Sequence, residues 1–326
     1  MNWSKVKNVL IILMAAADIF LGISLAVQYR SNHYIDSDTI ASTVELLQDG
    51  GIAVAPEVIP AKKSSAGVII GKPGEGYHKS VALLLLGEEG ISSQTPTGEI
   101  HSVSSAGYKA SSAPVSESAS AEFFSYDPFT LRWTSGGTEL YNYAEAASDY
   151  LYNGGTAPFN VESEEITQPY NAERDIVRHF KKLGVTLSVI SIVRDANTGR
   201  YAAVCRQSFS GLPSVQCEVT VIYDGNTVIC FSGVLIFESC CEGQSSYRAD
   251  SYDQVNILFM EKDYLDERRE NADTELEHRV TYLNEEYCVN WSSDRSTYYL
   301  IPAWRVGYSD GSSRVRNAVT GSIFAL

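Results

Sequence analysis

The sequence predicts an α+β protein: a single N-terminal transmembrane helix followed by two helix-plus-antiparallel-sheet domains. Three observations carry this. Val9 to Val27 is a nineteen-residue run with one charge, a helix-glycine-strand phrase occurs twice at an offset of 133, and alternating apolar and polar residues behind its second copy are punctuated by Asp-Gly turns. The 326 residues suffice for about two domains at ~150 residues each. With 44% apolar and 20% charged residues the composition is that of a folded chain, and 25 Lys+Arg against 40 Asp+Glu give a formal charge of −15. Such a balance opposes phosphate-rich partners, so nucleic acid is not an expected ligand.

The N-terminal run, VLIILMAAADIFLGISLAV, makes about 28 Å of helix, close to one hydrocarbon thickness. It places a cytoplasmic tail at 1–8 and a membrane helix at 9–29. Lys5 and Lys7 precede the run, and only Arg30 follows before Asp36 and Asp38 reverse the sign. The positive-inside rule therefore expects a single-pass cell-membrane protein with its N-terminus in the cytoplasm and its bulk outside. Setting aside Lys5, Lys7, Arg30 and Asp18 leaves 22 basic and 39 acidic groups, about −17, on the exported part. A cleaved signal peptide is the competing reading, because Ser24-Leu25-Ala26 has the small-x-small form of a cleavage site. Asp18 stands at the middle of the run, where a carboxylate costs roughly 2.5–3.5 kcal/mol. Either it meets a polar group on a helix of another protein, or it is protonated or locally hydrated in a lone helix.

A first extracytoplasmic domain is expected over 30–155. Asp36-Ser37-Asp38-Thr39 supplies capping side chains, Ile40, Val44 and Leu47 recur at helical spacing, and Gly50-Gly51 stops the helix before Ile52-Ala53-Val54. At the offset of 133, Val44, Leu47, Gly51, Ile52, Val54 and Ile59 fall on Val177, Phe180, Gly184, Val185, Leu187 and Ile192, which reads as an internal duplication or as chance. Eight serines between Ser102 and Ser120 mark a loop. Gly154-Gly155, Pro158 and Pro169 lie within Asn153–Tyr170, where the boundary of a second domain, 156–326, is placed.

That second domain opens with a helix from Glu173 to Leu183. Strands follow at Thr186 to Arg194, Arg200 to Phe209, Pro213 to Tyr223 and Thr227 to Phe237. The third alternates most cleanly, with Val215, Cys217, Val219, Val221 and Tyr223 on one face, and Asp224-Gly225 is a two-residue hairpin turn. A helix near Ser251 to Tyr264, a strand near Arg279 to Trp291 and a closing hairpin around Asp310-Gly311 complete it.

No pattern for catalysis, cofactor or metal has the required spacing. In Gly71-Lys72-Pro73-Gly74-Glu75-Gly76-Tyr77-His78-Lys79-Ser80 the lysine lies three residues after Gly76 rather than next to it, so it does not reach a cradled phosphate. Neither a zinc helix nor a nucleophile elbow is present. His33, His78, His101, His179 and His278 are scattered singly, and His179 stands among Arg178, Lys181 and Lys182 as part of a solvated basic face. Glu261 to Glu270 mixes both signs without calcium-loop spacing and reads as a solvated helix end. Six cysteines, Cys205, Cys217, Cys230, Cys240, Cys241 and Cys288, allow fifteen full pairings. A two-residue turn at Asp224-Gly225 sets Val219 opposite Cys230 and leaves Cys217 as its diagonal neighbour, wide for a bridge.

Three pieces carry a resemblance. Met1-Asn2-Trp3-Ser4-Lys5-Val6-Lys7 leads into an apolar span containing Asp18-Ile19-Phe20-Leu21. Gln207-Ser208-Phe209-Ser210-Gly211-Leu212-Pro213 runs through Asp224-Gly225 to Ser232-Gly233, and Ile301-Pro302-Ala303-Trp304-Arg305-Val306 precedes Asp310-Gly311 and Asn317-Ala318-Val319-Thr320-Gly321. In order and spacing these resemble the YycI family, over the anchor and most of the second domain; the serine-rich insert and the six cysteines depart from that pattern. The resemblance implies a membrane-anchored, non-enzymatic regulator of Gram-positive bacteria. It would act with a YycH-like single-span protein on the cell-wall sensor histidine kinase of the WalK type, through its membrane helix and its extracytoplasmic domain. Partner contact is then expected at Asp18, with Trp3 and Lys5 fixing the depth of the helix. Trp304 reads as a core aromatic, and Arg305, on the opposite face, as a partner contact or a solvated strand arginine. The alternative function is a membrane-tethered module that binds peptides or cell-wall fragments, or inhibits.

Overall fold

The computed structural model describes residues 3–64, 66–86, 93–97, 100–104, 120–124, 127–135, 139–153, 169–271 and 279–325. The helices are α1 (Trp3–His33), α2 (Ser37–Asp49), α3 (Tyr77–Leu86), α4 (Glu139–Asn153), α5 (Pro169–Lys182) and α6 (Gln254–Asn271). The strands are β1 (Ala53–Val54), β2 (Val68–Pro73), β3 (Ser93–Thr97), β4 (Ile100–Ser104), β5 (Ser120–Phe124), β6 (Asp127–Thr134) and β7 (Leu187–Arg194). They continue with β8 (Tyr201–Phe209), β9 (Leu212–Tyr223), β10 (Val228–Val234), β11 (Cys241–Tyr247), β12 (Arg279–Trp291), β13 (Tyr298–Tyr308) and β14 (Ser313–Asn317). The class is α+β, but the sheet is mixed rather than antiparallel: β1 and β9 both pair with β12 in parallel.

The expected transmembrane helix at 9–29 is corrected. Among the described residues no helix is long and apolar enough to cross a membrane. Asp18 divides the apolar stretch of α1, and Ile19 to Val27 behind it span about 14 Å at 1.5 Å per residue, half of what a hydrocarbon core needs.

Two compact units form, and each draws on both halves of the chain. The first comprises Met1–Ala66, Arg248–Glu285 and Ala303–Leu326, and the second Gly67–Tyr247 and Glu286–Pro302. The boundary expected within Asn153–Tyr170 falls mostly on residues outside the described set, as does the serine-rich stretch apart from 102–104 and Ser120.

In the first unit, Ile40, Val44 and Leu47 of α2 pack with Ile52, Val54, Ile257, Leu258, Val280 and Trp304. Each such side chain contributes roughly 1.5–3 kcal/mol when fully buried. Trp304 is 1% exposed and donates its indole N–H to the Tyr252 carbonyl at 3.2 Å, so it is a core residue. β13 pairs with β14 in the closing hairpin, with Arg305 opposite Val315.

In the second unit the strands run β7-β8-β9-β10-β6-β5-β4-β3, antiparallel throughout. The pairing of β6 with β10 joins the two halves of the sequence within one unit. Leu140, Tyr141, Ala144 and Ala147 of α4 cover Ala202, Ile222, Ile229 and Cys230. Phe180 of α5 meets Phe231 edge-on at 5.1 Å, and Phe231 stacks on Trp133 at 5.3 Å. The β9–β10 turn is longer than two residues: the Asp224 N–H donates to the Thr227 carbonyl at 3.1 Å, and a register shift after Val228 sets Cys230 opposite Ile222, not Val219. None of the six cysteines is joined in a disulfide.

The repeated phrase has the same end geometry in both copies. Gly51 and Gly184 adopt φ of 79° and 76°. The N–H groups of Gly51 and Ile52 donate to the Gln48 and Leu47 carbonyls, and those of Gly184 and Val185 to the Lys181 and Phe180 carbonyls, at 2.8–3.1 Å. Only a residue tolerant of positive φ ends a helix this way.

His179 departs from the basic face expected of it. Its ring lies beside Trp133 at 6.4 Å and against Phe180 at 5.5 Å. Burial, assisted by the Lys182 charge, lowers its pKa to about 4. The unfolded chain, with an ordinary histidine near 6.5, then binds more protons than the native state between these values. Stability should therefore fall as pH drops from about 6.5 to about 4, and His179→Gln should flatten that part of a urea-midpoint-against-pH curve. An unchanged slope in the variant would assign the acid sensitivity to other groups.

Candidate functional site

The sequence-derived partner residues lie on two elements. Trp3 and Lys5 belong to the start of α1, where side chains are outside the described set. Asp18 is exposed on α1 and makes no hydrogen bond or ion pair among the described residues. Around it Ile19, Phe20, Leu21, Ile23, Leu25 and Val27 are 56–70% exposed, an apolar helix surface that the described residues leave uncovered. Arg305 sits on β13 and donates to the Ser313 hydroxyl at 3.2 Å. No hydrogen bond or ion pair among the described residues brings it to Asp18.

The end of α1 is stitched to the chain that follows. The Ile35 N–H donates to the Ala61 carbonyl at 2.7 Å and the Lys63 N–H to the His33 carbonyl at 2.9 Å, while Lys63 Nζ donates to the Ser31 carbonyl at 3.0 Å. His33 stacks on Tyr29 with ring centroids 4.2 Å apart. Gln254 at the start of α6 is buried and donates to the Pro60 and Lys62 carbonyls, fixing the segment against which α1 ends. Arg30 and His33 lie in the last turn, where positive charge complements the helix dipole.

A cavity of about 640 Å³ opens beside this junction, walled by the last turns of α1 and the starts of α2 and α6. Its charged lining is Arg30, Lys63, Asp36 and Asp253. Sequence reasoning did not find this group, because its members are separated by up to 223 residues and share no motif. The nearest signal was the Asp36-Ser37-Asp38-Thr39 capping segment.

A smaller cavity, about 340 Å³, lies in the second unit between α4 and strands β9 and β10. Two carboxylates line it, and both are held. Glu145 pairs with Arg132. Glu218 accepts from Arg206 Nε at 2.7 Å and from the Tyr152 hydroxyl at 2.5 Å. Burial, then the Glu218 contact, raise the Tyr152 hydroxyl well above the usual phenol range. Among the described residues no group of three or more His, Cys, Asp or Glu side chains could hold a metal ion. Burial pushes the Cys205 and Cys230 thiols up to about 12, the reverse of what a thiolate nucleophile needs.

No family model matches the chain, and no curated protein resembles it significantly.

Proposed function

We propose that this protein is a non-enzymatic regulator that works at the cell membrane by binding a cell-wall sensor histidine kinase through α1, in company with a YycH-like protein. The observation that supports this reading most is the apolar surface of α1 around Asp18. An exposed helix with large aliphatic and aromatic residues on it is covered by something in its working state, and the described residues of this chain supply no cover. Within such a cover Asp18 would take a polar partner, since a desolvated carboxylate without one is costly. The carboxylates of the smaller cavity are tied to arginines and a tyrosine, an arrangement suited to holding the fold rather than to moving protons.

The test is co-purification. Asp18→Leu should leave expression and folding intact and weaken recovery of the kinase by roughly tenfold, the worth of one to two kcal/mol of hydrogen bonding to a charge. Equal recovery with the variant would remove Asp18 from the interface.

A further inference from the structure

We infer that the cavity at the foot of α1 is a binding site for a small zwitterion, a molecule with one anionic group and one ammonium group. The inference extends the proposed function: the kinase contact there lies on α1, and this ligand would tie α1 to the body of its unit.

The charges are set by the lining. Arg30 and Lys63 oppose Asp36 and Asp253, so the wall is neutral in sum. A lone anion drawn to the cations meets two carboxylates, and a lone cation meets the reverse; a molecule carrying both charges satisfies both pairs. Two of the four groups are uncommitted. Asp36 occupies the N-cap of α2 with extended backbone, φ −68° and ψ 144°, yet makes no side-chain capping bond. An N-cap aspartate ordinarily spends its carboxylate on the helix amides. Asp253, in the corresponding place before α6, does so, accepting from the Asn256 backbone N–H at 3.0 Å and side-chain amide at 2.8 Å. Arg30 likewise has no hydrogen-bond or ion-pair partner among the described residues. An anionic group on Arg30 and an ammonium on Asp36 would use what the fold leaves unspent. The volume of about 640 Å³ is within the range of small-molecule sites. Val27 and Tyr34 on the wall give the ligand's carbon skeleton an apolar and an aromatic contact.

Free amino-terminal peptides and ethanolamine lipid headgroups share this chemistry, and calorimetry on the full chain in a zwitterion-free buffer separates them. The probes are alanyl-alanine, glycerophosphoethanolamine, acetate and ethanolamine. One of the two zwitterions should bind, at least about tenfold more tightly than acetate or ethanolamine. Tighter binding of alanyl-alanine assigns a free peptide, and tighter binding of glycerophosphoethanolamine a lipid headgroup. Arg30→Gln and Asp36→Asn, both surface changes that should leave the unfolding midpoint in place, should each weaken that binding about tenfold. Absence of binding by both zwitterions, equal binding by the single-charge probes, or indifference to both substitutions would overturn the inference. Co-purification of the kinase is read separately. Capture of the kinase without zwitterion binding sinks this inference alone, and zwitterion binding without capture sinks the kinase reading alone.

Discussion

Glu261→Ala should destabilise the first unit by about 3–5 kcal/mol, the cost of stranding a buried charge cluster after one member is removed. Glu261 is fully buried on α6 and accepts from Arg314 at 3.1 Å, from Arg316 and from the Tyr308 hydroxyl. Arg316 also donates to the Gly321 and Met260 carbonyls at 2.8 and 2.9 Å, and Arg314 lies 3.5 Å over the Tyr264 ring. Neither guanidinium can follow a missing carboxylate into water without giving up these contacts. Urea unfolding checks this through the midpoint. Replacing Glu261, Arg314 and Arg316 together by apolar residues should recover most of the loss, because the desolvation of three charges is then also removed. A Glu261→Ala midpoint within experimental error of the native one would mean that the cluster is solvated.

Gly233→Ala should be nearly as damaging, about 3 kcal/mol or more, for a different reason. Gly233 lies in β10 between Val219 of β9 and Leu131 of β6, with φ at 152°. A Cβ there would stand within the van der Waals shell of the Glu218 carbonyl oxygen and 2.7 Å from Val219 Cα. Both are backbone of a central strand, so rotamer changes give no relief, and strain adds to overpacking. Gly211→Ala is the control. Its φ of 87° is also positive, but nothing lies within 4 Å of the added atom, and its cost should be about 1 kcal/mol. Equal losses at both positions would show that φ alone, not the close approach, sets the price.

Local signals in the sequence were readable to within a few residues. The helix-glycine-strand phrase placed α2 and α5, because a periodic apolar face followed by a glycine specifies both the burial and the stop. Alternation placed β7, β8, β9 and β12, and Trp304 sits in the core as its apolar neighbours require. What the sequence leaves unread is nonlocal. Nothing near Phe129 or Trp133 announces that β6 pairs with β10, roughly a hundred residues away. Glu261 reads as part of a solvated helix end because its partners, Arg314 and Arg316, arrive from a distant strand. The Cys230 register moved because the turn after Tyr223 has four residues where Asp-Gly suggested two. The candidate site was legible only in part: Asp18 stood out by its chemistry, whereas Arg30, Asp36, Lys63 and Asp253 are ordinary surface residues until the fold gathers them.

A photoreactive residue at position 18 decides whether α1 is a binding element. Irradiation in native membranes followed by mass spectrometry should capture the sensor kinase or its single-span companion on α1. Capture of lipid alone would contradict the claim and leave the helix without a protein partner.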